Sequence, residues 1–327
     1  MEVTVVVPTY NRSLLIGETL QSILTQQCPP TELIVVDDGS TDDTESVVRS
    51  FDGPIRYVRT ENAGESNARN RGVGLATCPW IALCDSDDLW LPQHLATHGR
   101  IVDRYPGIKL TFSNFVIVRD GRWGTEDKFS SAPAGYWEGG RAVDGGWIFD
   151  EPLYERLLRF QPIFQSNIVI SREYFQSVGG YDPTFARTLS QDLDFDLRCV
   201  ESGPVGAITA ATVGIRKHAG NFSGSLLRTL QGELTILRHA RQAHRLGQKH
   251  RGLIDNQIVE RTIAAADLAF ATAELDTFQE LVASLPPTAL TFRLRTKRAV
   301  TAFPRRLAVP VARTLSAARS YMTHRQR

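Results

Sequence analysis

The sequence contains an apolar run that ends abruptly in acids, Ile81-Ala-Leu-Cys-Asp-Ser-Asp-Asp88. The run predicts a buried strand that delivers Asp85, Asp87 and Asp88 to its carboxyl end. Three carboxylates at this spacing repel one another and raise one another's pKa values unless a cation lies among them. Oxygen ligands favour a hard divalent ion, Mg2+ or Mn2+. The alternative is a helix cap, since Asp88 precedes Leu89-Trp90-Leu91-Pro92 and could cap a helix that starts there.

Three earlier apolar runs also end in polar residues. They are Val3–Val7, followed by Thr9 to Arg12, Leu33–Val36, followed by Asp37-Asp38, and Ile55–Val58, followed by Glu61 to Gly64. Apolar residues with helical spacing lie between the runs, which predicts strands alternating with helices. Such strands form a mostly parallel sheet covered on both faces, and ligands bind beyond the carboxyl ends of the strands. The sequence has no GxGxxG after the first strand and no GxxxxGK[ST], so a nucleotide site here must have another design.

Length, composition and charge indicate the domain organisation and the compartment of the protein. A chain of 327 residues is expected to form one large domain plus an appendage. The four cysteines are scattered without metal spacing, which indicates reduced thiols and predicts a cytoplasmic protein. No signal-peptide pattern and no spanning apolar run is found, so an integral membrane protein is not expected. Residues 281–327 hold ten Lys and Arg and no acid, whereas the remaining 280 residues carry a net charge of −9.

Four motifs together resemble the family 2 glycosyltransferases of the GT-A fold. They are Val5-Val-Val-Pro-Thr-Tyr-Asn-Arg12, Val35-Val-Asp-Asp-Gly-Ser-Thr-Asp42, Asn62-Ala-Gly-Glu-Ser-Asn-Ala-Arg-Asn-Arg-Gly72 and Asp85-Ser-Asp-Asp88. The resemblance covers roughly residues 1–225. It implies an α/β fold of the nucleotide-diphospho-sugar transferase type, with a mostly parallel mixed sheet, helices on both faces and a C-terminal helical appendage.

The resemblance also implies roles for individual residues. The predicted nucleotide-sugar-binding residues are Pro8, Thr9, Tyr10, Arg12, Asp38, Asn67, Arg69, Asp85 and Asp87. Asp38 would hydrogen-bond the base, and Asn67 and Arg69 would lie along the nucleotide or its diphosphate. The run Asp85-Ser-Asp-Asp88 would be the DxD element of the family, which holds the ribose and, through Asp87 or Asp88, the metal. The predicted ligands of Mn2+ or Mg2+ are Asp87 or Asp88, with His218 completing the shell. Arg69 would, without its neighbouring motifs, be expected on a solvated helix face, and a lone histidine is more often structural.

A second acidic motif follows in Ser190-Gln-Asp-Leu-Asp-Phe-Asp-Leu-Arg198. The resemblance implies that Asp192 is the catalytic base. The sequence departs from the family at Gln191, where Glu is more usual, which puts the acceptor class in doubt more than catalysis. Arg216-Lys-His-Ala-Gly-Asn-Phe-Ser223 resembles the closing RxHxxNxS segment of the family. The QxxRW segment of the processive members is missing, which favours addition of a single sugar.

The predicted organisation is a transferase domain over residues 1–225 and a helical region over 226–327. Residues 1–118 form the nucleotide-binding half and residues 119–225 the acceptor-binding half. Glycines alternate with tryptophans in residues 119–160, which predicts a mobile connection at the border of the acceptor site. Its aromatic side chains could stack on sugars or lipid tails, or they could result from loop packing alone.

The predicted function is metal-dependent, inverting transfer of one sugar in polysaccharide or glycoconjugate synthesis. The expected partners are a nucleotide-diphosphate sugar, with UDP favoured, and a glycan or lipid-linked acceptor.

A basic amphipathic tail, with Val311, Leu315, Ala318 and Met322 on one stripe, predicts peripheral docking on an anionic membrane from the cytoplasmic side. Packing of that stripe on the acidic body is the alternative, and no nucleic-acid partner is expected. The rival functions are a sugar-nucleotide-forming nucleotidyltransferase, which would normally show a Gly-rich basic loop after its first strand, and a non-catalytic nucleotide-sugar-binding protein.

Overall fold

The computed structural model describes residues 1–218, 225–304 and 306–312. The chain divides into two compact units, unit 1 over residues 1–221 and unit 2 over residues 222–327. Unit 1 contains strands and helices, whereas the regular structure of unit 2 in the described residues is helical.

The described residues of unit 1 contain eleven strands, and the first four coincide with the apolar runs of the sequence. The eleven strands are Val3–Thr9 (β1), Glu32–Asp37 (β2), Ile55–Arg59 (β3), Trp80–Leu83 (β4), Leu89–Trp90 (β5), Leu110–Arg119 (β6), Arg122–Asp127 (β7), Arg141–Val143 (β8), Gly146–Phe149 (β9), Ile168–Ser171 (β10) and Val205–Lys217 (β11). Within residues 1–218 they form one eleven-stranded sheet in the order β3-β2-β1-β4-β10-β6-β11-β9-β8, with β5 beside β11 and β7 beside β6.

The helices lie between these strands and continue into unit 2. In unit 1 they are Ile16–Leu24 (α1), Thr44–Arg49 (α2), Glu65–Leu75 (α3), His94–Arg104 (α4), Tyr154–Arg159 (α5), Arg172–Ser177 (α6) and Gln191–Cys199 (α7). In unit 2 they are Leu226–Ala243 (α8), Arg251–Ala271 (α9), Leu275–Ala283 (α10) and Phe292–Thr301 (α11).

One half of the sheet is parallel and the other half is mixed. Strands β3, β2, β1 and β4 are parallel neighbours. Strand β10 runs antiparallel between β4 and β6, and β11 pairs parallel with β6. The predicted α/β fold with a mixed sheet is confirmed. Apolar runs identified the strands, but they carried no signal for the antiparallel insertion of β10, which depends on contacts distant in sequence.

Helices cover both faces of the parallel half of the sheet. Successive side chains of a strand point to opposite faces, so each strand can pack against helices on both sides. Val3, Val5 and Val7 of β1 pack in one cluster with residues of α1. On the opposite face α3 approaches β1 and β2 so closely that a Cβ atom on Gly72 would lie 2.3 Å from Val6 Cγ1. The first strand is therefore buried on both faces, as its continuous apolar sequence predicts.

Two local expectations are corrected. Asp88 does not cap a helix, because β5 follows it and α4 begins at His94. Residues 119–160 contain β7, β8, β9 and α5, so they are more regular than the expected connection. Trp137 stacks on Trp147 with ring centroids 5.1 Å apart and also contacts Phe129 at 4.3 Å. These contacts favour loop packing over an open stacking platform for Trp137.

Unit 2 has its own apolar core. Side chains from α8, α9, α10, α11 and residues 306–312, which are also helical, form one buried cluster. Within the predicted helical region, Ala273 adopts a left-handed φ of 63° and separates α9 from α10. Most of the predicted tail stripe, Leu315, Ala318 and Met322, lies outside the described residues. In the described part of the chain no helix combines the length and the apolarity that crossing a bilayer requires.

The close approach at Gly72 gives a test of the packing of α3. Gly72→Ala is expected to lower the thermal unfolding midpoint, because overpacking against Val6 typically costs about 1–3 kcal/mol. Gly74→Ala is the matched control in the same helix, since no atom lies within 4 Å of its added Cβ. Ala is favoured over Gly in a helix by up to about 1 kcal/mol, so the control is expected to hold or raise the midpoint. Equal midpoints for the two variants would contradict the packing described for α3.

Candidate active site

The carboxyl ends of three neighbouring strands meet at one edge of the sheet. Strand β1 ends at Thr9, β2 at Asp37 and β4 at Leu83, and β1 lies between the other two. Because the three strands are parallel, the loops that follow them emerge side by side. The residues predicted for nucleotide and metal binding in these loops are thereby brought to one edge of unit 1.

Hydrogen bonds fix the loops after β1 and β2 to each other. The backbone N–H of Asn11 donates to Ser40 Oγ at 2.8 Å, and the backbone N–H of Thr41 donates to Asn11 Oδ1 at 2.8 Å. Asn11 has a φ of 52°, a left-handed conformation that Asn tolerates better than most residues. The two loops therefore form one rigid rim.

The predicted pocket residues of the first loop differ in their exposure. Pro8 and Thr9 are buried, whereas Tyr10 is 44% exposed. The Thr9 hydroxyl is buried and has no hydrogen-bond partner in the described residues. A buried hydroxyl without a partner costs free energy, so this atom is well suited to a polar ligand. Arg12 Nε lies 3.4 Å from Asp87 Oδ2, which links this loop to the acidic segment.

Asp38 joins the loop after β2 to the start of α3. Its Oδ1 accepts from the backbone N–H of Ala63, and its Oδ2 accepts from the backbone N–H of Gly64, both at 2.8 Å. Its own backbone N–H donates to the Thr9 carbonyl oxygen at 2.8 Å. Each carboxylate oxygen has a second lone pair, so the predicted contact to a base is compatible with these bonds.

Arg69 lies inside the protein rather than along an open groove. Its side chain is 3% exposed, and one guanidinium nitrogen donates to Glu65 Oε1 and to Asp85 Oδ1, each at 2.7 Å. The guanidinium also lies over the ring of Tyr181, 5.2 Å from the centroid. Arg69 is therefore placed to hold Asp85, one of the predicted nucleotide-sugar-binding residues. Asn67, the other residue predicted on this helix, is partly exposed and donates to the Ala63 carbonyl oxygen at 2.6 Å.

The acidic loop separates Asp87 from Asp88. Asp88 is buried, and its oxygens accept from Ser166 Oγ at 2.5 Å and from the backbone N–H of Arg216 at 3.0 Å. Burial and the charges of Asp87 and Asp85 raise the pKa of Asp88 well above its ordinary value. Asp87 instead faces His218, whose Nε2 lies 3.0 Å from Asp87 Oδ2. The predicted metal ligands Asp87 and His218 are thus brought together, whereas Asp88 is engaged by the protein itself.

Arg216 fastens the acidic loop to α1. Its Nε donates to the carbonyl oxygen of Asp87, and its Nη1 lies 2.7 Å from Glu18 Oε2. Its Nη2 donates to the Leu15 carbonyl oxygen at 2.9 Å and to Thr19 Oγ1 at 2.7 Å. Because every bond has a charged donor, the loop is held strongly.

The predicted base lies at the start of α7, next to α3. Asp192 is half-buried. Its neighbour Gln191 accepts from Ser66 Oγ and donates through Nε2 to Glu65 Oε2 at 3.3 Å. Both polar ends of the Gln191 amide are therefore bound within the protein, and the carboxylate of Glu65 stands beside it.

Charge and burial shift the pKa values of these acids upward. For Asp192, burial has the largest effect and raises the pKa. The positive charge of Arg69 lowers the pKa and the negative charge of Asp85 raises it, and the net result is a raised pKa. Partial enclosure, together with Asp85, Asp87 and Asp192, raises the pKa of Glu65 to about 7 against the lowering effect of Arg69. Carboxyl groups with raised pKa values in a cluster are typical of catalytic sites.

Sequence reasoning missed the contributions of Glu65, Ser166 and Arg216. Glu65 could have been found, because it precedes Arg69 by four residues and forms a predictable helix pair with it. Arg216 was recognised only as part of a motif, without its contacts to α1. Ser166 donates to Asp88 and accepts from the backbone N–H of Asp85 at 3.0 Å, but nothing in the sequence pattern around it signals this role.

Comparisons with known proteins identify the family of the chain. The family model "Glycosyl transferase family 2" matches residues 4–163. A PGL/p-HBAD biosynthesis glycosyltransferase of Mycobacterium bovis is 30% identical over 203 residues, which cover 60% of this chain and 68% of that protein. Two other curated glycosyltransferases align at 42% and 40% identity, and the matched regions span only 23% and 14% of their lengths.

Solved structures show the same fold. The crystal structure of S. aureus TarS 1–349 in complex with UDP-GlcNAc has a TM-score of 0.61 at 17% identity and covers 98% of this chain and 92% of that chain. The mannosyltransferase PcManGT from Pyrobaculum calidifontis, in complex with GDP-Man and Mn2+, has a TM-score of 0.54 at 21% identity and covers 96% and 87%. The fold is that of the GT-A glycosyltransferases, and by its motifs, its family match and its relatives the chain belongs to glycosyltransferase family 2.

Proposed function

We propose that this protein is an inverting, metal-dependent transferase that moves one sugar from a nucleotide-diphosphate sugar to an acceptor hydroxyl. The observation that carries the proposal is the convergence of the Asp87–His218 pair with the cluster of Glu65, Arg69, Asp85 and Asp192. The Asp87–His218 pair is suited to hold a metal ion that binds the diphosphate. The acidic cluster is suited to remove a proton from the acceptor hydroxyl. Both functions are needed for direct transfer without a covalent enzyme intermediate.

The donor nucleotide is proposed to lie over the carboxyl ends of β1 and β2. Thr9 offers an unpartnered buried hydroxyl, Tyr10 offers an exposed ring for stacking on a base, and Asp38 retains acceptor capacity for a base N–H. Asp85, oriented by Arg69, accepts from the ribose hydroxyls. A uridine nucleotide is favoured, although the solved structures of the same fold include one bound to UDP-GlcNAc and another to GDP-Man.

Asp87 and His218 fit a divalent cation. A carboxylate oxygen and an imidazole nitrogen suit Mn2+, and Mg2+ would prefer the oxygen ligands. When bound, the ion would neutralise the charge of the leaving diphosphate. Arg12, close to the same Asp87 oxygen, adds a cation that the diphosphate can contact. Arg216 keeps the acidic loop in place while the donor binds.

Asp192 is proposed to take the proton of the acceptor hydroxyl as its oxygen attacks the anomeric carbon. The new bond forms on the face opposite the leaving group, the bond from the anomeric carbon to the diphosphate oxygen breaks, and the configuration inverts. The proton remains on the Asp192 carboxyl group and the nucleoside diphosphate leaves with the electron pair. The charges therefore balance without any covalent sugar–enzyme bond.

The acceptor is proposed to be a glycan or a lipid-linked molecule in cell-surface polysaccharide or glycoconjugate synthesis. The relative with a role in PGL/p-HBAD biosynthesis supports this class. Because the Gln191 amide is bound to Ser66 and Glu65, we assign the acceptor hydrogen bond to the Glu65 carboxyl group instead. That exchange of roles would account for Gln191 at the position where the family resemblance implies Glu.

Hydrolysis of nucleotide sugars separates this proposal from its rivals. UDP-, GDP- and dTDP-sugars are incubated with the protein and Mn2+, and release of nucleoside diphosphate is measured. A transferase releases nucleoside diphosphate slowly with water as acceptor. A nucleotidyltransferase would instead release pyrophosphate from a nucleoside triphosphate and a sugar phosphate, and a non-catalytic protein would bind a donor without turnover.

Donor binding is expected to depend on the metal site. Asp87→Ala should weaken the affinity for the active nucleotide sugar at least about tenfold in calorimetry with Mn2+, because the metal loses its carboxylate ligand. Chelation should weaken the wild type equally. Asp52→Ala, an exposed acid, serves as control. Unchanged affinity in Asp87→Ala would exclude Asp87 as a metal ligand.

Transfer is expected to depend on the basicity of Asp192. Asp192→Asn should keep donor affinity while turnover falls by about 10²–10⁴-fold, the range for a lost general base. Asp194 is paired with Arg198 at 2.6 Å and Asp196 accepts from Gln165 at 3.2 Å, so neither is placed to substitute. Near-normal turnover of Asp192→Asn, with an unchanged unfolding midpoint, would assign the base elsewhere.

The raised pKa of Asp192 predicts the acid limb of the pH profile. A base works only when deprotonated, so turnover should fall as pH decreases through the raised pKa, above the value of about 3.9 of an unperturbed aspartate. The check is kcat/KM for donor turnover from about pH 8 down to about pH 4, with the unfolding midpoint measured at each pH. A flat profile down to about pH 4 in a folded protein would contradict the assignment.

A further inference from the structure

Unit 2 exposes large apolar side chains in one short stretch. Phe292 is 87% exposed, and Phe303, Leu307 and Val311 are 60%, 54% and 44% exposed. The remaining exposed large apolar side chains of the described residues are Tyr10, Leu14 and Leu226. Isolated exposed apolar residues are normal, but four within residues 292–311 require an explanation.

The same stretch also contributes to the core of unit 2, and its exposed side chains are not part of that core. Leu294 in α11 and Ala308 and Ala312 in the helical residues 306–312 are buried in the cluster of unit 2. Phe292 lies on the side of α11 opposite Leu294, by the helical period. Leu307 and Val311 are four residues apart and share a side, next to the buried alanines. Packing within unit 2 therefore does not account for the exposed set.

Positive charge accompanies these apolar residues. Residues 281–327 have ten Lys and Arg and no acid. Arg293 and Lys297 turn back to Asp267 of α9, each at 2.7 Å. Arg295, Arg298 and Arg306 are exposed, and in the described parts of unit 2 no salt bridge neutralises them. Three cations thus remain available beside the exposed apolar side chains.

We propose that this protein docks on an anionic lipid surface through two sets of exposed side chains. Apolar side chains enter the headgroup region, and arginines bind lipid phosphates; the apolar set is Phe292, Phe303, Leu307 and Val311, and the basic set is Arg295, Arg298 and Arg306. A surface helix that combines arginines with Phe and Leu binds at the membrane interface, and several basic residues act together there. Charge alone would also suit a nucleic acid, but a nucleic acid does not need exposed Phe292, Phe303 and Leu307. The docking element is thus assigned to these exposed side chains rather than to the stripe of Val311, Leu315, Ala318 and Met322 that sequence patterning favoured.

The test is sedimentation of the full-length protein with vesicles of neutral phosphatidylcholine or of phosphatidylcholine with about 30% phosphatidylglycerol, at low and high salt. The wild type is expected to sediment with the anionic vesicles and to be released by salt. An apolar variant, Phe292→Ser/Phe303→Ser/Leu307→Ser, and a basic variant, Arg295→Gln/Arg298→Gln/Arg306→Gln, should each partition at least tenfold less. All the substituted side chains are exposed, and unfolding midpoints verify that the variants fold.

Matched controls lie in the same unit. Leu226→Ser removes another exposed apolar side chain, and Arg228→Gln/Arg238→Gln/Arg251→Gln removes three exposed arginines elsewhere in unit 2. Both are expected to bind like the wild type. Full-length Arg319→Gln/Arg325→Gln/Arg327→Gln gives the same charge change in the tail and should also retain binding.

Several results would overturn the proposal. If the wild-type protein stays in the supernatant with anionic vesicles, docking is rejected. If only the tail variant loses vesicle binding, the docking element lies in the tail. A monomeric apolar variant beside an oligomeric wild type in gel filtration would identify the apolar set as a contact between copies. Displacement from vesicles by duplex DNA at equal charge concentration would identify a nucleic-acid surface. None of these measurements uses a sugar donor, so they are independent of the proposed transferase activity.

Discussion

The acidic site depends on the buried guanidinium of Arg69, which lies between Glu65 and Asp85. Carboxylates packed closely at the ends of parallel strands repel one another, and an interior position strengthens that repulsion. A buried cation offsets it and fixes the directions of the acids at the same time. Because Arg69 is only 3% exposed, removing the acids that pair with it would leave an uncompensated buried charge, which is strongly destabilising. Arg216 has the corresponding role on the other side of the acidic loop, where it binds Glu18 and the backbone.

Much of the fold could be predicted from the sequence because its signals are local. The continuous apolar runs of β1, β2 and β4 are typical of a parallel sheet covered on both faces, and polar residues at their ends mark the edge where ligands bind. The parts that could not be predicted depend on distant contacts. Asp87 and Asp88 are neighbours in sequence, yet Ser166 and the backbone of Arg216 engage only Asp88.

Arg69 shows the same limit of sequence reasoning. Its motif carried no signal for its position over the ring of Tyr181, which depends on how α3 meets the segment before α7. The glycine-rich region after β6 gave a comparable result. Glycine and tryptophan indicated an irregular connection, whereas the structure uses them for close packing around Trp137 and Trp147.

The contacts of Asp38 restrict how the donor preference of this protein could change during evolution. Its two oxygens hold the amides of Ala63 and Gly64, and these residues begin the helix that carries Glu65 and Arg69. In the proposed donor site the same carboxylate faces the base. A substitution that altered base preference at Asp38 would therefore also displace the acids that serve the acceptor. New donor preferences are more accessible through Tyr10, which is exposed and whose side chain can be exchanged without disturbing α3.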